Sequence, residues 1–147
     1  MSGASRRLGR LLAIRRLSED LDRRNLQLTL ASVAEVEVAL ARQSTVLAES
    51  RLTARAALTT GNRNDWLMAD AQGEVAGWNR GRLGTLLQAR MVAVAPAMEK
   101  FLGSRREHEQ VKHLVEDAQK AARSEDDHRA QAAADDWFLG KRTRNDD

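Results

Sequence analysis

Residues 59–65 read Thr-Thr-Gly-Asn-Arg-Asn-Asp, and they divide the chain into two long halves. Gly61 suits the left-handed residue that ends a helix. Asn62 or Asn64 suits an N-cap, and Asp65 favours the first turn of a helix through the helix dipole. On both sides of this break, candidate seam residues fall three and four apart. Upstream they are Leu26, Leu30, Val33, Glu37, Leu40, Ser44 and Leu47. Downstream they are Gly73, Gly77, Arg80, Gly84, Leu87, Met91, Val94, Met98 and Phe101. That rhythm is the seam of a coiled coil, because the stripe returns to one side of the helix every heptad. The expected fold is all-α: a single long antiparallel two-helix coiled-coil hairpin. Its first helix spans about 5–60, its turn about 60–64, and its second helix about 65–139, followed by a frayed tail at 140–147.

Three local features test that expectation. Leu26, Leu28 and Leu30 alternate, as do Val36, Val38 and Leu40, which is a strand-like period. The surrounding Ala, Arg, Glu and Gln are good helix formers without turn signals, so a helix is preferred. Glycines fall at 61, 73, 77, 81 and 84, and those within 66–84 weaken that stretch by ~1 kcal/mol each relative to Ala. A structureless loop of that length is uncommon. A helix is therefore expected, with the glycines at 73, 77 and 84 letting the two helices approach closely. Pro96 lies inside the second helix, with Gly103 and Ser104 close behind, so a bend is expected within 95–104.

The chain has 147 residues, one domain's worth, with 42% hydrophobic and only 3% aromatic residues. Much of the apolar fraction is Ala, so the seam buries little area and stability is expected to rise with a partner. There is no Cys, hence no disulfide framework or thiolate metal site. Arg15 and Arg16 interrupt the apolar stretch near the start, and no secretory signal is expected. The longest nearly uncharged stretch, Met91 to Met98, is far short of the ~20 residues of a membrane span. A cytoplasmic protein is expected.

The net charge is +3. Residues 1–63 carry 11 basic and 6 acidic groups, net +5; residues 107–136 carry 4 and 9, net −5. A hairpin would lay these regions side by side, so much of the basic charge is expected to face acidic charge within the molecule.

Candidate chemistry is sparse. His108 and His113 are five apart, whereas a zinc-binding helix needs them four apart. Glu125, Asp126, Asp127 and His128 form an acidic run without the glycine that bends a calcium loop. No phosphate-cradling loop and no nucleophile with its base is recognisable. No enzyme activity, small-molecule substrate or cofactor is expected. The arginines at 6, 7, 10, 15, 16, 23 and 24 read either as a solvated face or as an anchor on an acidic surface. Trp66, Trp78, Trp137 and Phe138 either mark binding hot spots or pack across the hairpin.

The basic, leucine-striped first helix, the turn Gly-Asn-Arg-Asn-Asp-Trp at 61–66 and the ending Ala-Asp-Asp-Trp-Phe-Leu-Gly-Lys-Arg at 134–142 together form a pattern. It resembles the flagellar export protein FliJ family and its YscO-type relatives in virulence secretion. The resemblance covers nearly the whole chain and is mainly architectural. It implies a stalk like that of rotary ATPases. The end holding both termini would insert into a hexameric export ATPase and promote its assembly. The region past the turn would contact the membrane export gate, and some family members also recycle export chaperones. Carried over by position, the ATPase-facing residues are Arg6, Arg7, Leu8, Arg10, Trp137, Phe138, Lys141 and Arg142. The gate-facing residues are Trp66, Leu67, Val75 and Trp78. The glycines of 73–84 stand where the family has larger apolar residues. Two other classes remain open: a basic coiled coil that binds nucleic acid, disfavoured by few aromatics and an acidic second half, and a chaperone-like holder of other helices.

Overall fold

The computed structural model describes residues 3–145, with side chains described to Arg142. The protein is all-α, and no strand occurs among the described residues. Helix α1 runs Gly3–Thr60, α2 Arg63–Val92 and α3 Val94–Asn145. The expected tail at 140–147 is helical to Asn145, and residues 146 and 147 lie outside the described residues. No helix among the described residues is long and apolar enough to cross a membrane.

The junction between α1 and α2 is built by local chemistry. Gly61 takes φ +74. The Asn62 backbone N–H then donates to the Ala57 carbonyl at 3.0 Å, the long-range bond of a Schellman ending. Asn62 itself is extended and caps α2: its side-chain oxygen accepts from the Asp65 N–H at 3.2 Å. Its side-chain amide donates back to Asp65 Oδ2 at 2.7 Å, which holds the carboxylate in the first turn.

A second interruption falls at Ala93 rather than within the expected 95–104, all of which is helical. The cause is one turn upstream of where the proline sits. Pro96 has no N–H, and its ring crowds the carbonyl four residues before it, that of Val92. The helix closes at Val92, with the Ala93 N–H donating to Arg90 O at 3.2 Å. It restarts at Val94, so that Pro96 lies in the first turn of α3, where no N–H is needed.

The chain divides into two compact units: Met1–Asp20 with Gly103–Asp147, and Leu21–Leu102. In the second unit, shielded side chains recur every three and four residues along α1, at 22, 26, 29, 33, 36, 40, 43, 47, 50, 54 and 57. The matching set is 66, 69, 73, 76, 79, 83, 87 and 90 on α2 and 94, 97 and 101 on α3. Gly73 lies against Ser50 and Leu47, and Lys100 lies 3.9 Å from Asp22. The core is thin. Its buried apolar residues are Leu26, Val36, Ala57, Ala69, Ala76 and Ala97, and no large side chain is fully buried.

Several positions of the expected seam are displaced by one residue. Thr29 and Val36 are shielded where Leu30 and Glu37 are expected, whereas Ser44 is half-buried as expected, together with its neighbour Gln43. Ala76, Asn79, Arg90 and Ala97 play the same part for Gly77, Arg80, Met91 and Met98, whereas Gly84 is half-buried as expected, together with its neighbour Leu83. Charge explains the choice on α1. Extending the expected phase would carry Glu37 and Arg51 into the seam, whereas Thr29, Val36, Gln43, Ser50 and Ala57 are all uncharged. A close approach is made only at Gly73, where an added Cβ would stand 3.6 Å from Ser50 Cβ. Gly77 and Gly84 have open space around them.

Candidate functional surfaces

The first unit pairs the start of α1 with α3 through a seam that turns polar. Ser5, Leu8, Leu12, Arg15 and Glu19 are shielded on α1, and Ser104, His108, Val111 and Val115 on α3. Glu19 is buried at 6% exposure, and its carboxylate meets His108 Nδ1. Arg15 Nη1 donates to Glu107 Oε2 at 2.6 Å, while Arg15 Nε is buried without a hydrogen-bond partner. Buried polar positions in a helical seam specify which residues pair. The signal for this cluster in the sequence is heptad spacing. Glu19 continues the stripe Leu12, Leu26, Val33 at heptad spacing, and His108 continues Val94, Phe101. A polar residue at an inward position of each helix is the mark of such a layer. His108 and His113 go separate ways: His108 turns to Glu19, and His113 is exposed with its Nδ1 3.6 Å from Glu116.

The expected pairing of basic α1 with acidic α3 is made at Arg15 and Glu107 but does not extend along the acidic stretch. The shielded stripe on α3 stops at Val115 and Glu116, and every residue from Asp117 to Leu139 is exposed. The acidic residues at 125, 126, 127, 135 and 136 therefore lie on a stretch that α1 does not cover. Arg6, Arg7 and Arg10 are exposed, and among the described residues they make no ion pair with it. Leu8 is half-buried in the seam. The uncovered stretch is roughly 35 Å long at ~1.5 Å per residue. It ends in a built aromatic cluster. The Trp137 and Phe138 rings meet edge to face at 5.1 Å, and Lys141 Nζ sits 5.0 Å from the Trp137 ring centre. Lys141 and Arg142 are exposed. Thus the structure groups Trp137, Phe138 and Lys141 together and keeps Arg6, Arg7, Leu8 and Arg10 as a separate group on α1.

In the second unit Trp66 is half-buried beside the junction, lining a small hollow with Ala57, Leu58, Gly61, Asn62 and Arg63. Leu67, Val75 and Trp78 are exposed at 47%, 58% and 64%. The Arg82 guanidinium stands 4.8 Å from the Trp78 ring centre, a cation–π contact one turn along the same face. Val75 and Trp78 share that face, whereas Trp66 belongs to the seam. The four residues therefore form an aromatic corner at the junction and a separate apolar face further along α2. At the other end of this unit, Arg23 stands over Phe101 at 5.5 Å.

No protein-family model matches the chain, and none of the curated proteins or solved structures compared with it matches either. Its surfaces offer three things: a cationic helix start, an uncovered helix ending in aromatic and basic groups, and an exposed apolar face on α2. Each is suited to contact with other macromolecules.

Proposed function

We propose that the protein is a non-enzymatic stalk and adaptor of type III protein export, built as an antiparallel two-helix coiled-coil hairpin. In this role it binds a hexameric export ATPase, favours ring assembly and links the ring to a membrane export gate. Its place would be the cytoplasm, at the periphery of the export apparatus, and escort of export chaperones would be a secondary task. The observation that carries the proposal is the uncovered end of α3. A helix that leaves its partner and runs on for roughly 35 Å to a Trp-Phe-Lys cluster is built to enter another structure. The descending and ascending partners at Gly73 and Lys100 support the antiparallel arrangement.

The proposed mechanism is linkage. A stalk that binds only the assembled ring stabilises it by mass action. Coupling to the gate must then be reciprocal, so gate binding tightens ring binding by the same factor. Arg6, Arg7 and Arg10 would supply the steering charge.

The test uses the full chain with a purified export ATPase. The expected result is ring assembly promoted by the parent chain. Replacing Trp137 and Phe138 together by Ala should weaken this at least tenfold. Reversal of Arg6, Arg7 and Arg10 to Glu should weaken ATPase binding and slow association, most strongly at low salt. A parent chain that neither binds the ATPase nor shifts its assembly overturns the proposal. Recovery of nucleic acid instead, lost as salt rises, would move the protein to the nucleic-acid class.

A further inference from the structure

Helix α2 carries two stripes. One is the seam with α1. The other lies roughly 150° around the helix at ~100° per residue and faces solvent. It begins at Met68 and ends at Val92, which are 66% and 73% exposed, with Val75 and Trp78 between them. Its members recur at alternating steps of three and four, so it is itself a coiled-coil face. Exposed apolar patches of this kind mark interfaces.

We infer that this outer stripe of α2 is a homodimer interface, occupied by the same stripe of a second copy running antiparallel about a two-fold axis beside Arg80. The stripe is its own complement in that register. Met68 meets the second copy's Val92, Ala71 meets Ala89, and Val75 meets Thr85. At the centre Trp78 meets the second copy's Arg82. The cation–π contact that Arg82 makes with Trp78 inside one chain is thereby repeated, twice, between chains. The flanks do not repel. Asn79 faces its own copy, Gln72 faces Leu86, and Glu74 faces Gln88, so no like charges are opposed. Gly81 faces Gly81 across the axis, where the absence of a side chain lets the helices approach. Arg80 points to the opposite side of α2 and stays clear. This isologous arrangement is what closed two-fold symmetry requires. It also accounts for Gly81, which has open space inside the single chain.

The strip is about 35 Å long on a helix ~10 Å across, at the low end of stable interfaces, so a dissociation constant on the order of micromolar is expected. The inference concerns the isolated chain and does not rest on the export proposal.

The test is the mass of the purified full chain by sedimentation equilibrium. The expected mass rises with concentration from 16.3 kDa toward twice that value. Trp78→Glu should hold it at the lower value with unchanged helicity by circular dichroism. The register is tested by cysteine, which the natural chain lacks. An added Cβ at Gly81 or at Gly9 meets nothing within 4 Å, so both substitutions are accommodated. On mild oxidation Gly81→Cys should cross-link at least tenfold faster than Gly9→Cys, because only the former meets its own copy within disulfide reach. A parent that stays at 16.3 kDa up to about 1 mM overturns the inference. So does a Trp78→Glu variant that still dimerises, or equal cross-linking at the two sites.

Discussion

The two units use one helical rhythm with opposite chemistry. The seam of 21–102 is small and apolar where it is tightest: Ala57, Ala69, Ala76 and Ala97 are buried, and Gly73 admits the close approach to Ser50. The seam of the other unit places Arg15, Glu19 and His108 at inward positions. Small apolar residues give close packing but little specificity, since one alanine fits as well as the next. The polar layer adds little net stability after desolvation, yet it accepts only one alignment. The first seam holds its own helices together, and the second fixes which residues pair within its own unit.

That contrast breaks most readily in the apolar seam. Val36→Asp places an unpaired carboxylate at a position 5% exposed and should destabilise by about 4 kcal/mol, read as a lower thermal midpoint by circular dichroism. In the polar layer, Glu19→Leu leaves the half-buried His108 without its partner and should cost about 2 kcal/mol in denaturant unfolding. The double variant Glu19→Leu/His108→Leu should recover that loss or exceed the parent, while broadening amide resonances of 103–116 as the alignment loosens. A double variant as unstable as the single one would remove the polar layer's role in alignment.

Smaller effects sharpen the picture of the glycines. Gly77→Ala and Gly84→Ala should each stabilise by about 1 kcal/mol, because the added Cβ enters open space and the helix gains propensity. Gly61→Ala should destabilise by a similar amount, about 1 kcal/mol, since φ +74 disfavours any Cβ. The smallest change is Glu107→Gln. Its pair with Arg15 is substantially exposed on both sides, so about 0.5 kcal/mol or less is expected, vanishing at high salt.

Several of these elements were legible in the residues. The junction at 59–65 announced itself because Gly, Asn and Asp each have a specific backbone role there. The helical class followed from propensity and a sustained three-four spacing. The face was harder. Leu26, Val33, Leu40 and Leu47 belong to either phase of the stripe, and the neighbours three or four along lie on opposite sides of the same axis. Choosing Val36 over Glu37 required the sum over the whole helix. The Trp137–Phe138–Lys141 cluster could be read as a group because it is local in sequence. Its separation from Arg6, Arg7 and Arg10 could not, since it depends on where α1 ceases to cover α3.

Helix, turn and cap were thus set by interactions within a few residues, which the order of amino acids contains in full. Which stripe of α2 turns inward, how far α3 outruns α1 in its unit, and that Glu19 finds His108 were decided by packing between segments distant in the chain. Those outcomes depend on burial and charge pairing summed across two helices. No single window of residues carries that sum.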